Sequence, residues 1–122
     1  LADAVAAGNM NRSMELFREL INDPENTPVY LLYVLTGSMN DLYRARLALD
    51  YNHGLPEIMK DFGYSPSVEF RVKNALSSVR RTDIRHLRKC LEILAKADID
   101  MKSSGADPAV ILEKAIVEML AR

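Results

Sequence analysis

One cysteine, two histidines and no tryptophan occur among the 122 residues. A lone Cys90 excludes an internal disulfide and any Cys-rich zinc site, and it suits a reducing compartment. His53 and His86 stand in no HExxH or Cys/His spacing, so no metal site is expected. The five glycines are scattered singly, and no GxxxxGK[ST] phosphate loop exists. Five Gly and five Pro are too few for collagen, long linkers or a turn-rich β-sandwich. The longest apolar run, Pro28 to Leu35, falls far short of the ~20 residues that span a bilayer, so no membrane partner is expected. Neither charge sign dominates. Sixteen Lys and Arg oppose seventeen Asp and Glu, which leaves no global field to steer the chain toward nucleic acid or acidic lipid. The chain opens at Leu1 and lacks a basic stretch followed by an apolar one, so no signal peptide is visible. It reads as a piece of a longer cytoplasmic protein.

What is present is the make-up of a globular domain: 48% apolar and 27% charged residues. A chain of this length forms one domain, residues 1–122, able to bury roughly two-thirds of its unfolded surface. Apolar residues recur with a 3.6-residue period, and no stretch alternates as a half-buried strand would. Thr27-Pro28, Ser65-Pro66 and Asp107-Pro108 each place a capping side chain before a proline at the first helical position. Thr82 reads as a further cap, with the charge of Asp83 suited to the first turn.

These signals predict helices over Ala2–Ala7, Met10–Ile21, Pro28–Asn52, Pro56–Phe62, Pro66–Arg80 and Asp83–Lys102, with a last one from Pro108 to the end. The expected inward residues are Met10, Met14, Phe17 and Ile21 in the second helix and Val110, Ile111, Ala115 and Leu120 in the last. The third helix is apolar nearly all round in its first half, which predicts a central, buried helix, with Gly37-Ser38 as a place to bend. The fold class is all-α, a compact bundle of about six to seven helices.

Catalytic chemistry finds no footing. His53 precedes Gly54 at a helix end and reads as part of a cap, and His86 sits among Arg85 and Arg88 on a polar face. Cys90 lies beside Leu87 and Leu91 as a small packed thiol, with no histidine expected to activate it. Carboxylates are placed for surface pairs such as Glu15 with Arg18. No enzyme and no cofactor are expected.

Two features rise above this background. Residues 65–90 hold seven basic residues (Arg71, Lys73, Arg80, Arg81, Arg85, Arg88, Lys89) against two acidic ones, Glu69 and Asp83. Residues 1–64 hold five basic against nine acidic, and residues 91–122 four against six. A basic segment on an acidic remainder suggests a nucleic-acid contact, an acidic neighbouring subunit or a solvated face. The second feature is the run from Leu55 to Tyr64 followed by Ser65-Pro66 and a basic helix, which has the outline of a helix-turn-helix over residues 55–80. In that reading Glu69, Arg71 or Lys73 would meet base edges. The absence of Gln and the paucity of polar readers on that helix argue against it.

The blocks Leu1–Asn9, Ser13–Phe17, Tyr30–Leu32, Leu55–Met59, Phe70–Ala75 and, most specifically, Ala97–Gly105 closed by Asp107-Pro108 occur in an order that resembles one family. It is the C-terminal collar domain of the delta subunit of bacterial DNA polymerase III, a clamp-loader component. The resemblance covers the whole chain. It implies a helical collar that packs with the collars of other clamp-loader subunits, in the bacterial cytoplasm, during DNA replication. It implies a sliding clamp reached only through an AAA+ type module absent from this chain, and a parent that is part of a nucleotidyltransferase holoenzyme. Arg81, Arg85, Arg88 and Lys89 then become candidates for a subunit interface. Arg71, Lys73 and Arg80 become candidates for weak, non-specific contact with DNA or an acidic partner. Asp98 and Lys102, four apart on a helix, are expected to pair and to steady the turn before the last helix.

Overall fold

The computed structural model describes residues 1–121. Among them are seven α-helices and no strand: α1 (Ala2–Ala6), α2 (Met10–Ile21), α3 (Pro28–Asp50), α4 (Leu55–Asp61), α5 (Glu69–Ser78), α6 (Ile84–Ser103) and α7 (Pro108–Leu120). A single 3-10 turn, Pro66–Val68, leads into α5.

Helix starts are held by side chains at residues that the spacing marks. Thr27 Oγ1 accepts the Tyr30 N–H at 3.1 Å, and Asp107 Oδ1 accepts that of Ala109 at 2.9 Å. Each satisfies one of the donors that a first turn leaves open. Asn9 does the same for α2 through the Arg12 N–H. At α6 the cap is Asp83, whose Oδ1 accepts from Arg85 N at 3.1 Å, and not Thr82, which is buried one residue earlier. The ends of α3 and α4 use the left-handed region. Gly63 (φ 66°) lets Tyr64 N–H return to the Met59 carbonyl at 2.9 Å. Asn52 (φ 59°) stops α3, with the His53 N–H donating to Ala48 O at 2.8 Å. His53 thus contributes its backbone to the cap while Asn52 bears the unusual conformation.

α3 is the organising element. It packs most extensively on α6, then on α5, and α7 packs on α6, with α1 and α2 closing the α3–α7 side. The main core includes Val5, Phe17, Leu35, Met39, Leu42, Leu87, Leu94, Leu112 and Ile116, all nearly or fully buried. A smaller core of Ala48, Ile58 and Val72, flanked by Leu55, Met59, Tyr64 and Leu76, docks α4 and α5 on the C-terminal half of α3.

Several expectations fail. α3 is not buried all round: Leu31, Leu32 and Leu35 face inward, but Val29, Tyr30, Tyr33 and Val34 face solvent, Tyr33 at 77% exposure. No other helix covers that side, and α3 runs unbroken through Gly37-Ser38. In α7, Val110 is 56% exposed, while Ala115 and Leu120 are buried and Ile111 packs on the core as expected, together with Leu112, Ile116 and Met119. That helix carries apolar residues on more than one face, so periodicity alone misplaces Val110. In α2, Met10 is exposed and Ser13, whose hydroxyl donates to Asn9 O at 2.6 Å, is buried instead. α5 also ends two residues before Arg80. Arg46 of α3 donates to the carbonyls of Val79 (3.0 Å) and Arg80 (3.2 Å), capping it from outside.

Candidate functional site

The residues that bear charge sort into two places in space. The first is built around Asp41, whose side chain keeps only 7% of its surface exposed. A buried carboxylate is costly unless it is paired and hydrogen-bonded, and here it is both. Arg71 Nε donates to Oδ2 at 2.8 Å, and the Tyr64 hydroxyl donates to Oδ1 at 2.6 Å. Tyr64 in turn accepts from Arg44 at 3.2 Å, and the Arg44 guanidinium lies 5.0 Å over the Phe62 ring and 5.5 Å over Tyr64. Burial, and then the bond to Asp41, push the Tyr64 phenol above its ordinary value of 10.0. No buried side-chain nitrogen or oxygen among the described residues lacks a partner. The network ties α3 to both sides of the α4–α5 connection.

Of the residues singled out for DNA, Arg71 is therefore turned toward the protein's own carboxylate, although 52% of its side chain stays exposed. Lys73 and Arg80 are exposed and make no ion pair among the described residues. Composition alone missed Asp41. The signal available was an acid between Met39 and Leu42 on an apolar stripe, a position that demands a partner.

The second place is the outer side of α6. Arg81, Arg85, Arg88 and Lys89 are all exposed, while Leu87, Cys90 and Leu94 hold the helix to the core. Arg88 lies against the Tyr43 hydroxyl of α3, a contact that raises its already high pKa. Farther along, Lys102 Nζ lies 3.0 Å from Asp98 Oδ2. The Lys102 side chain is largely exposed and that of Asp98 about half exposed, and the turn that follows is held by Ser104, Ala106 and the Asp107 cap. Glu15 pairs with Arg12 at 3.2 Å and not with Arg18.

A histidine does stand beside the thiol: His86 Nε2 is 3.7 Å from Cys90 Sγ, which sequence spacing of four on one helix could have shown. The sulfur is fully buried, so a substrate cannot reach it. His53 Nδ1 sits 3.9 Å from an Asp61 oxygen on the surface. No group of three or more metal-binding side chains gathers among the described residues, and no helix is long and apolar enough to cross a membrane.

A known protein shares this fold. The solved structure of the Bacillus subtilis DNA clamp loader delta protein matches it with a TM-score of 0.85 at 21% identity, over 99% of this chain and 34% of that one. The DNA polymerase III subunit delta of Bacillus subtilis (strain 168) is 23% identical over 122 residues, which is 100% of this chain and 34% of that protein. The chain thus spans about a third of the length of the relatives it matches. The all-α bundle is the fold of that delta structure. The family described as DNA polymerase III delta subunit, C-terminal domain, matches residues 1–119, and the chain belongs to it.

Proposed function

We propose that this chain is a non-catalytic assembly domain, the collar by which a clamp-loader delta subunit is held to its neighbours while the loader places the sliding clamp on DNA. The observation that carries the reading is the row Arg81, Arg85, Arg88 and Lys89. Arg85, Arg88 and Lys89 stand exposed on a helix whose other side is rooted in the core, Arg81 stands exposed in the turn just before it, and none of the four has an ion-pair partner among the described residues. Rigidly mounted Arg side chains beside apolar surface are the usual make-up of protein interfaces. The partners are the other clamp-loader subunits, in the bacterial cytoplasm. The clamp is met only through a module outside this chain, and the parent serves a nucleotidyltransferase holoenzyme without itself supplying that chemistry here.

The helix-turn-helix reading of residues 55–80 is the weaker one. Arg71 is held by Asp41, and Val72 and Ala75 of the would-be recognition helix pack inward. Lys73 and Arg80 leave room only for a weak backbone contact with DNA, which carries no sequence information. Gel filtration with the purified subunits of the source organism's loader tests the assembly reading. Co-elution is expected, and the double variant Arg85→Glu/Arg88→Glu should weaken it with an unchanged circular dichroism spectrum. A chain that elutes alone beside all of those subunits refutes the reading.

A further inference from the structure

α3 and α6 run antiparallel, and along their seam lies a groove of about 630 Å³. Val29 to Asn40 form one bank and Leu91 to Lys102 the other. Its floor is buried Leu32 and Leu94, and exposed Tyr33 and Ala95 stand on the two banks. The α3 bank covers a rise of about 17 Å at helical pitch, three turns of a second helix. The two ends differ in charge. At one, Asp98 and Lys102 neutralise each other at 3.0 Å. At the other, one turn past Asn40 and one turn before Leu91, the seam continues to Tyr43 and Arg88. Arg85 shares a face with Arg88, three residues away. Neither arginine has a carboxylate within ion-pair distance among the described residues, and exposed Glu92 exerts only a through-space effect on Arg88.

We infer that this groove docks an amphipathic helix of a neighbouring clamp-loader subunit, its apolar face against Leu32, Tyr33 and Leu91 and its carboxylates against Arg85 and Arg88. The charge pattern selects the occupant. An apolar trough that is cationic at one end and self-neutralised at the other fits a helix with acids at one end only. The inference rests on the assembly reading for the source of that helix and adds the face, the orientation and the chemistry.

The test uses the chain with the purified remaining subunits of its loader. Ala95→Trp fills the groove from an exposed position and should weaken co-assembly at least 10-fold. Arg88→Glu should do so about 10-fold and leave the remaining assembly less weakened by added salt than that of the unmodified chain, because a screened attraction has become a repulsion. Val117→Glu, at an exposed position of α7, should leave assembly unchanged, and circular dichroism checks each fold. A photocrosslinking residue at position 95 should mark a helical, carboxylate-bearing segment of another subunit. Crosslinks to DNA, to a second copy of this chain or to an uncharged loop overturn the inference. So does undiminished assembly of Ala95→Trp and Arg88→Glu, an outcome that leaves the assembly reading standing. Failure of the unmodified chain to assemble would instead remove the assembly reading itself.

Discussion

Replacing Arg71 by Met isolates the energetics of the Asp41 network. The variant keeps most of the side chain's length and apolar stem but removes the guanidinium that donates at 2.8 Å to a carboxylate only 7% exposed. Asp41 would then keep a single donor, the Tyr64 hydroxyl at 2.6 Å. Breaking a buried pair from one side costs about 3–5 kcal/mol, because the remaining charge stays desolvated. Here the lower end applies, since Arg71 is half exposed and part of its interaction is screened by water. About 3 kcal/mol corresponds to a fall in melting temperature of roughly 10 °C for a domain of this size. Asp41→Asn alone keeps an acceptor for Tyr64 and strands no charge, so it should cost only about 1–2 kcal/mol. In the double variant the uncompensated carboxylate is gone, and stability should recover by about 1–2 kcal/mol over Arg71→Met. Urea denaturation followed by circular dichroism, with equal m-values across the set, measures all four corners. Additive losses, or a double variant less stable than Arg71→Met, would refute the account.

Four further outcomes are expected. Above about pH 10 the chain should lose stability with rising pH, because Tyr64, whose pKa is raised on folding, must stay protonated to donate to Asp41; Tyr64→Phe should flatten that slope in pH-dependent melting curves. Met39→Ala, at a fully buried position on α3, should cost about 2–5 kcal/mol in urea titrations through the cavity left behind. Asp83→Ala should cost about 1 kcal/mol while Thr82→Ser costs less, which calorimetry can separate. DNA binding, measured by fluorescence anisotropy on a duplex and its scrambled version, should be weak, equal for both and steeply reduced by salt.

The parts of this fold that are legible in the sequence are those with local causes. Thr27-Pro28 and Asp107-Pro108 start helices because cap and proline act within one turn, and the bounds of α2 follow from one run of apolar spacing. What escapes is held by distant partners. Asp41 is defined by Tyr64 and Arg71, 23 and 30 residues away, and the end of α5 by Arg46, more than 30 residues before it. Asn52 hides because an asparagine in the left-handed region looks like any loop residue. The exposure of Val110 on α7 hides for the opposite reason, an excess of apolar choices.

Charge counted along the chain makes residues 65–90 one basic block, but folding divides it, and the division bears on function. Arg71 is drawn inward by Asp41 and serves to seat the α4–α5 hairpin on α3. That hairpin has little core of its own beyond Ile58 and Val72, so an ion pair and a tyrosine bond stand where a larger domain would place more apolar surface. Of the cations left outside, Arg85, Arg88 and Lys89 stand on α6, the helix most extensively packed on α3 and therefore the least able to move as a unit. A DNA reader needs its charges on the helix that enters the groove; an assembly surface needs them on a rigid element beside apolar surface. Arg85 and Arg88 meet the second requirement, because their helix is fixed by Leu87 and Leu94 and borders the uncovered apolar bank of Val29 and Tyr33. The same sequence block thus spends one arginine on the fold and leaves the other cations exposed.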